Sequence, residues 1–236
     1  MQKSYFKCLY QLYEFKEILS SENNTKLGKL FFSWIETKTN IVKNEKSQKY
    51  LYNNLTNFTL PNYPINLYLF NKSTKTIQNI IKDNYAFIDN KYIFKNKNIS
   101  YENALLIANF IIFKRGNVVW IDFGFNIGNE FGGMHPAIIL KNFKTDLFVL
   151  PLSSKKPKEY IKIEQDLSIN DIEIAKNNIT EIIQFDNIYG FKNITRWANL
   201  TRMKKVSVLR INFSGSIGTI SGFDLNRISE RIKKEF

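Results

Sequence analysis

The sequence predicts an α+β protein in which a mainly helical domain, residues 1–113, is followed by a small β-barrel domain, residues 114–236, that ends in a helix. Two observations predict this organisation. Gly28 is the only one of the ten glycines before Lys114, so residues suited to tight turns concentrate in the second part. Short runs rich in β-branched and aromatic residues, separated by turn residues, begin at Asn117 and are typical of a small barrel.

Helical periodicity dominates the first domain. Aromatic and aliphatic residues recur every three or four positions from Tyr5 to Phe15, and Ser100 is a good N-cap with Glu102 in the first turn that follows. Further helices are predicted at about 27–43, 45–57 and 74–84. The prolines of "LPNYPIN" (60–66) interrupt the helical pattern, and "YAFIDNKYIF" (85–94) predicts a hairpin with Asp-Asn at its turn.

Strand signals dominate the second domain. The predicted strands are "NVVWIDF" (117–123), "PAIILKN" (136–142), "LFVLPLS" (147–153), "EYIKIE" (159–164), "EIIQFD" (181–186) and "VSVLRI" (206–211). Between them, "SINDIEIAKNNIT" (168–180) is compatible with an extra helix or a loop. The final "SGFDLNRISERIKKEF" predicts a helix with apolar residues on one face and Lys233 and Lys234 near its C-terminus, where cations suit the helix dipole.

Charge and cysteine content restrict the classes of function. The chain has 34 Lys and Arg against 21 Asp and Glu, a net charge of +13, with +7 in residues 1–113 and +6 in residues 114–236. This excess predicts a polyanionic partner, nucleic acid before an anionic membrane, and the alternative is a solvated basic face. Cys8 is the only cysteine, which excludes an intramolecular disulfide and a CxxC metal site. We therefore expect no metal or other cofactor.

A cytoplasmic, non-membrane protein is expected. The N-terminus "MQKSYFKCLYQLYEF" alternates polar and aromatic residues and lacks the apolar run of a secretion signal. The longest apolar stretch, "ALLIANFIIF" (104–113), has ten residues and is interrupted by Asn109, whereas a spanning helix needs about 20.

One segment concentrates residues suited to chemistry. In "RGNVVWIDFGFNIGNEFGGMHPAIIL" (115–140), two apolar runs flank a loop that carries Gly124, Gly128, Gly132 and Gly133 and ends at His135, the only histidine. Glycines permit positive φ and let a phosphate approach backbone N–H groups, although a tight barrel loop uses glycine for conformation alone. The imidazole is the side chain whose ordinary pKa allows proton transfer near neutral pH.

This segment resembles the opening motif of the PemK/MazF family of toxins from toxin–antitoxin pairs. The residues in register with the motif are Arg115, Gly116, Val118, Asp122, Gly128, Glu130, Gly132, Gly133 and Pro136. Later segments, "LFVLPLSS" and "RWANLTRM", are similar to further motifs of that family, so the resemblance covers about residues 114–236. It implies an SH3-like barrel that forms a homodimer, an antitoxin partner, and metal-independent endoribonuclease activity on single-stranded RNA.

The resemblance also implies the site residues. His135 stands where the family usually has arginine, Ser153 where it has the catalytic threonine or serine, and Arg196 where some members use an arginine; these three are the predicted catalytic residues. The predicted RNA-binding residues are Arg115, Gly128, Glu130, Gly132, Gly133, Ser154, Asn199 and Arg202. Two departures matter: His135 replaces arginine, and Ala198 replaces the aspartate that accompanies Arg196 in those members.

Each of these residues also has a structural interpretation. His135 is a candidate general base or acid, or it fills the end of a loop; Ser153 binds phosphate or caps a strand end. For Glu130 the structural role is favoured, and for Trp120 and Trp197 core packing is favoured over base stacking. Two other functions stay open: a degenerate family member that binds nucleic acid without cutting it, and an inhibitor of a protein target with the same barrel.

Overall fold

The computed structural model describes residues 35, 47–96, 98–124, 132–166 and 169–235. The helices predicted for residues 5–15 and 27–43 therefore lie outside the described residues. The helices are α1 Ser47–Asn54, α2 Leu60–Asn62, α3 Leu67–Lys72, α4 Lys75–Asn84, α5 Tyr101–Ile111, α6 Lys158–Asp166, α7 Ile169–Asn177 and α8 Gly222–Glu235. A π-helical turn, Leu55–Thr59, joins α1 to α2, and short 3-10 turns occupy Leu200–Arg202 and Val208–Arg210.

The strands form two separate sheets. They are β1 Ile65–Asn66, β2 Tyr85–Ile88, β3 Lys91–Phe94, β4 Asn117–Asp122, β5 Met134–Asn142, β6 Asp146–Ser153, β7 Ile182–Phe185, β8 Arg196–Asn199, β9 Lys204–Ser207 and β10 Gly218–Thr219. The first three strands form a small sheet in the order β1-β3-β2, and the other seven form one antiparallel sheet.

Local capping and turn chemistry account for several of the described elements in residues 1–113. The predicted cap at Ser100 is confirmed, since its hydroxyl accepts a hydrogen bond from the Asn103 N–H at 3.2 Å. The predicted hairpin is also confirmed: β2 pairs with β3, and Asp89 and Asn90 at the turn have φ of 48° and 62°. Two successive residues with positive φ are the signature of a two-residue hairpin turn.

The seven-stranded sheet curls because its two edges are joined. Its order is β10-β4-β5-β6-β8-β7, with β9 also paired to β6. Beyond β7, the Tyr189 N–H donates to the Thr219 carbonyl at 3.0 Å, and the Thr219 N–H donates to the Tyr189 carbonyl at 2.9 Å. This bridge links the chain after β7 to β10 at the opposite edge. The result is a curled antiparallel sheet whose concave interior contacts the C-terminal helix α8.

Alternation along the strands separates two hydrophobic clusters. On the inner face of the sheet, Val118, Ile138, Leu152 and Ala198 belong to a cluster that includes Ile228 of α8. On the outer face, alternate residues such as Val119, Ala137 and Val149 belong to a larger cluster that also contains buried residues of α1, α4 and α5. The helices of the first part thus pack on the outer face, and whether residues 1–113 and 114–236 fold as separate domains remains a prediction.

One predicted strand is wrong and a second is wrong in part: of the predicted strand 206–211, Val206 and Ser207 belong to β9, whereas Val208–Arg210 form a 3-10 turn. Residues "EYIKIE" belong to the helix α6, and the uncertain segment after it forms the helix α7. Tyr160 is buried and Ile163 is half-buried, which is a helical spacing, while Ile161 is exposed. The short apolar run fits both the helical and the strand repeat, and the packing of α6 against α7 favours the helix. In the described part of the chain, no helix is long and apolar enough to cross a membrane.

Candidate functional site

The hairpin between β4 and β5 is closed by two glycines with positive φ. Gly124 has φ of 84° and Gly133 has φ of 78°, and the Gly133 N–H donates to the Gly124 carbonyl at 2.6 Å. The Asp122 carboxylate accepts the Gly124 N–H at 2.8 Å, which fixes the entry to the loop. The predicted residues Gly128 and Glu130 lie in 125–131, outside the described residues. Gly132 and Gly133 stand at the described end of this loop, immediately before β5.

His135 occupies the second position of β5, opposite Ile121 of β4. Its side chain is half-buried. Burial lowers the pKa of the imidazole from its ordinary 6.5, whereas hydrogen bonds to the backbone of Leu152 and Gly132 act in the opposite direction. A pKa below 6.5 leaves the ring mainly neutral at pH 7, which is the form that accepts a proton.

His135 and Ser153 lie on the same face of the sheet, at neighbouring strand ends. The β5–β6 pairing ends at Ala137 and Pro151, and each of the two residues lies two positions beyond it, so alternation places both side chains on the outer face. The His135 ring forms a hydrogen bond with the backbone of Leu152, the residue before Ser153. The Ser153 hydroxyl accepts the Lys155 N–H at 3.0 Å, which holds it in place at the strand end. Ser154, the next residue, is exposed.

A cavity of about 420 Å³ opens beside Ser153. Of the predicted residues, Ser153, Asn199 and Arg202 line it, together with Trp197, which is paired with Ser153 across β6 and β8. Its charged lining residues are Lys155, Lys156, Lys158 and Arg202, against one acid, Glu159, so four positive charges and one negative charge leave +3. This is a cationic concavity suited to phosphate groups.

Lys158 and Glu159 of α6 form one wall of the cavity, and an ion pair links α6 to α7. Lys156, from the segment between β6 and α6, forms an ion pair with Glu164 of α6, and Lys176 of α7 forms an ion pair with the same carboxylate. The hydrogen bonds from these two ammonium groups lower the pKa of Glu164. The side chains are partly exposed, so the pairs orient the wall more than they stabilise the fold.

Arg196 lies on the opposite face of the sheet from Ser153. It precedes Trp197 in β8, so its side chain enters the inner face, where it is 5 % exposed. The guanidinium carbon is 5.4 Å from the Phe191 ring centroid and 6.0 Å from that of Trp120. Its Nε has no hydrogen-bond partner among the described residues, and burial lowers the pKa of the group. The structure does not bring Arg196 to the outer face shared by His135 and Ser153.

The remaining predicted residues divide between the cavity and the far end of the sheet. The Asn199 side-chain oxygen accepts the Thr201 N–H at 2.8 Å, so its amide NH₂ is left to act as a donor at the cavity. Arg202 follows in the 3-10 turn. Arg115 lies in the turn before β4 and donates to the Ser229 hydroxyl of α8 at 2.7 Å. Asn117, where β4 begins, is already roughly 13 Å along the strand from Ile121, the residue paired with His135.

Several residues that line the cavity were not predicted from the sequence. Lys155, Lys158 and Glu159 belong to "SSKKPKE", and the basic character of this segment, directly after a predicted strand, could have indicated them. Trp197 was expected in the core, yet it is half-buried and lines the cavity. Among the described residues, no group of three or more His, Cys, Asp or Glu side chains is arranged to hold a metal ion.

A comparison with known protein families found a match over the part of the chain that contains this site. Residues 114–236 match the family model described as PemK-like, MazF-like toxin of type II toxin-antitoxin system. The match covers slightly more than half of the 236 residues and includes the curled sheet and the C-terminal helix. No curated protein shows significant similarity to the chain.

Proposed function

The chain belongs to the PemK-like, MazF-like toxin family of type II toxin–antitoxin systems, and we propose that it is an endoribonuclease that cleaves single-stranded RNA by 2′-hydroxyl attack. The observation that carries the proposal is that His135 and Ser153 share the outer face at neighbouring strand ends, with Ser153 lining a cationic cavity. RNA is the polyanion to which such a concavity is suited, and the net charge of +13 favours its approach.

The proposed mechanism assigns the proton transfer to His135. Its neutral ring removes the proton from a ribose 2′-hydroxyl, whose oxygen attacks the adjacent phosphorus and forms a 2′,3′-cyclic phosphate. The bond from phosphorus to the 5′-oxygen breaks, and that oxygen takes a proton from water at this open end of the sheet. The Ser153 hydroxyl donates to a non-bridging phosphate oxygen, and Lys155 and Arg202 offset the negative charge that develops there.

Incubation of the full chain with single-stranded RNA in EDTA tests the proposal. We expect fragments that carry a 2′,3′-cyclic phosphate on one side of the cut and a 5′-hydroxyl on the other. A matched RNA with 2′-deoxyribose at the cleaved position is the control, because removal of the attacking hydroxyl should abolish the cut at that position alone. RNA that stays intact at every length, at low salt and at excess protein, would refute the proposal.

Ala198 favours one alternative function. Where some family members carry aspartate, this chain has an alanine that is buried in the inner cluster, so no carboxylate is available at that position. The alternative is a member that binds RNA without cutting it. Binding that weakens steeply with salt, without any cleavage product, would favour this alternative. The homodimer and the antitoxin partner remain predictions from family membership.

Arg196 is proposed to act as a buried cation that supports the aromatic stack, since its guanidinium lies beside Trp120 and Phe191. We expect Arg196→Met to lower cleavage by less than about tenfold and to leave the melting temperature unchanged or raised, because a buried charge without a hydrogen-bonded anion is costly. Cleavage rates and thermal unfolding of the two proteins check this. A loss as large as that of His135→Ala, in a folded variant, would instead restore the predicted catalytic role of Arg196.

A further inference from the structure

The cavity beside Ser153 has the dimensions and lining of a site for one nucleobase. Its volume of about 420 Å³ lies in the range of about 300–1,000 Å³ that small-ligand sites occupy. Apolar surfaces from Pro151, Pro157, Ile182 and Trp197 contribute to its lining, while its lysines carry the positive charge. A lining that combines apolar surfaces with lysines is suited to a base and its phosphates.

Trp197 links this site to the reacting bond. It pairs directly with Ser153 across β6 and β8, so its Cβ and that of Ser153 are neighbours on the outer face. Its indole is half-buried and lines the cavity. Indole rings stack on bases irrespective of sequence, so Trp197 supplies affinity for a base next to the phosphate at Ser153. Selection among the four bases has to come from hydrogen-bonding groups.

Two cavity groups offer complementary hydrogen bonds. The oxygen of Asn199 is occupied by the N–H and hydroxyl of Thr201, at 2.8 and 2.6 Å, which leaves the amide NH₂ to donate to a base carbonyl. Glu159, in the first turn of α6, is the only acid in the cavity lining and forms no ion pair within the part of the chain that the structure describes. An ionised carboxylate only accepts hydrogen bonds, and its two oxygens are satisfied together by two neighbouring N–H donors of a ligand.

We propose that the cavity holds the base next to the cleaved bond and that Glu159 selects guanine, whose edge carries a ring N–H and an amino group side by side, next to a carbonyl. The two donors of guanine bind the Glu159 carboxylate, and its carbonyl accepts from the Asn199 amide. Adenine, cytosine and uracil each present one donor nitrogen on that edge, so none of them satisfies both carboxylate oxygens. The position of Glu159 on α6 means that this helix sets the base preference. This inference rests on the proposed function for the cleavage site, but base binding is measurable without cleavage.

Sequencing of the cut ends of a random single-stranded RNA pool tests the selection. For the full wild-type chain we expect guanine to be enriched at one position flanking the cut. Glu159→Gln, an exposed substitution that keeps the side-chain shape, should relax that preference by about tenfold while other positions are unchanged. Glu230→Gln, an exposed acid of α8 outside the cavity lining, is the matched control and should leave the pattern intact. Identical patterns in all three proteins would overturn the inference.

Titration with GMP, CMP, AMP and UMP separates this inference from the nuclease proposal. We expect GMP to bind about tenfold more tightly than CMP, AMP and UMP, and Glu159→Gln to remove that difference. This result, in a protein that cuts no RNA, would support the base site and refute the nuclease. Equal or absent binding of all four nucleotides would overturn the base site even if RNA is cut.

Discussion

His135→Ala is expected to reduce RNA cleavage at least 100-fold while RNA binding persists. General acid–base catalysis contributes about 10²- to 10⁴-fold, and His135 is the only imidazole in the chain. The substitution removes no charge at pH 7, because burial lowers the pKa of the ring and leaves it mainly neutral. The cations that line the cavity are untouched, so affinity for a non-cleavable 2′-deoxy RNA should change little.

The pH dependence of the wild-type rate follows from the same group. A general base acts in its deprotonated form, so activity should fall as pH decreases through the pKa of His135. Since burial lowers that pKa from its ordinary value, the midpoint of the acidic limb should lie below pH 6.5, and the limb should be absent from His135→Ala. Asn193→Ala, a change at an exposed residue outside the cavity lining and the predicted site, serves as the control. An unchanged rate for His135→Ala would remove the imidazole from the mechanism.

Gly218→Ala should destabilise the protein by about 3 kcal/mol, since the methyl group has no room. A Cβ at this position would lie 2.4 Å from the Phe191 ring and 2.6 Å from the Tyr189 carbonyl oxygen. The ring can shift only into the stack with Trp120, and the carbonyl belongs to the bridge that joins the two edges of the sheet. A shift of the ring or of the carbonyl group to make room for the methyl group therefore weakens the bridge between the two edges of the sheet.

Urea denaturation of Gly218→Ala and of a control variant measures this effect. Gly222→Ala is suited as the control, because a Cβ there meets no atom within 4 Å and alanine favours the helix α8. We expect Gly222→Ala to stay within about 0.5 kcal/mol of wild type or to exceed it. Equal stability of Gly218→Ala and wild type would show that the edges of the sheet do not need this close approach.

Local sequence patterns predicted much of the fold. The cap at Ser100, the Asp-Asn turn and the runs at β4, β5 and β6 depend on neighbouring residues, and their chemistry is readable from a short window. The run "EYIKIE" was misread, because its apolar residues fit both a strand and a helix. Contacts of α6 with α7, and the ion pairs of Glu164 with two lysines, decide that case.

The sequence predicted only part of the candidate site, because the position of a side chain also depends on pairing with distant segments. Motif positions predict His135 and Ser153, and the β5–β6 register places both on the outer face. Which face of a strand a residue occupies depends on pairing with distant segments, so motif position did not reveal that Arg196 faces the interior. Pairing with distant segments also brings Lys155, Glu159 and Trp197 to one cavity, so motif position did not reveal that they are close together.

The sequence by itself determined the family, the basic character of the chain and the order of strands, glycine turns and final helix, because these depend on composition and short-range pattern. Only the tertiary structure decided that His135 and Ser153 share the outer face and that Arg196 lies beside two aromatic rings. It also decided that residues of the helix α6 line a cationic cavity. Those facts arise from strand register and long-range packing, in which a shift of one residue would send every side chain of a strand to the other face.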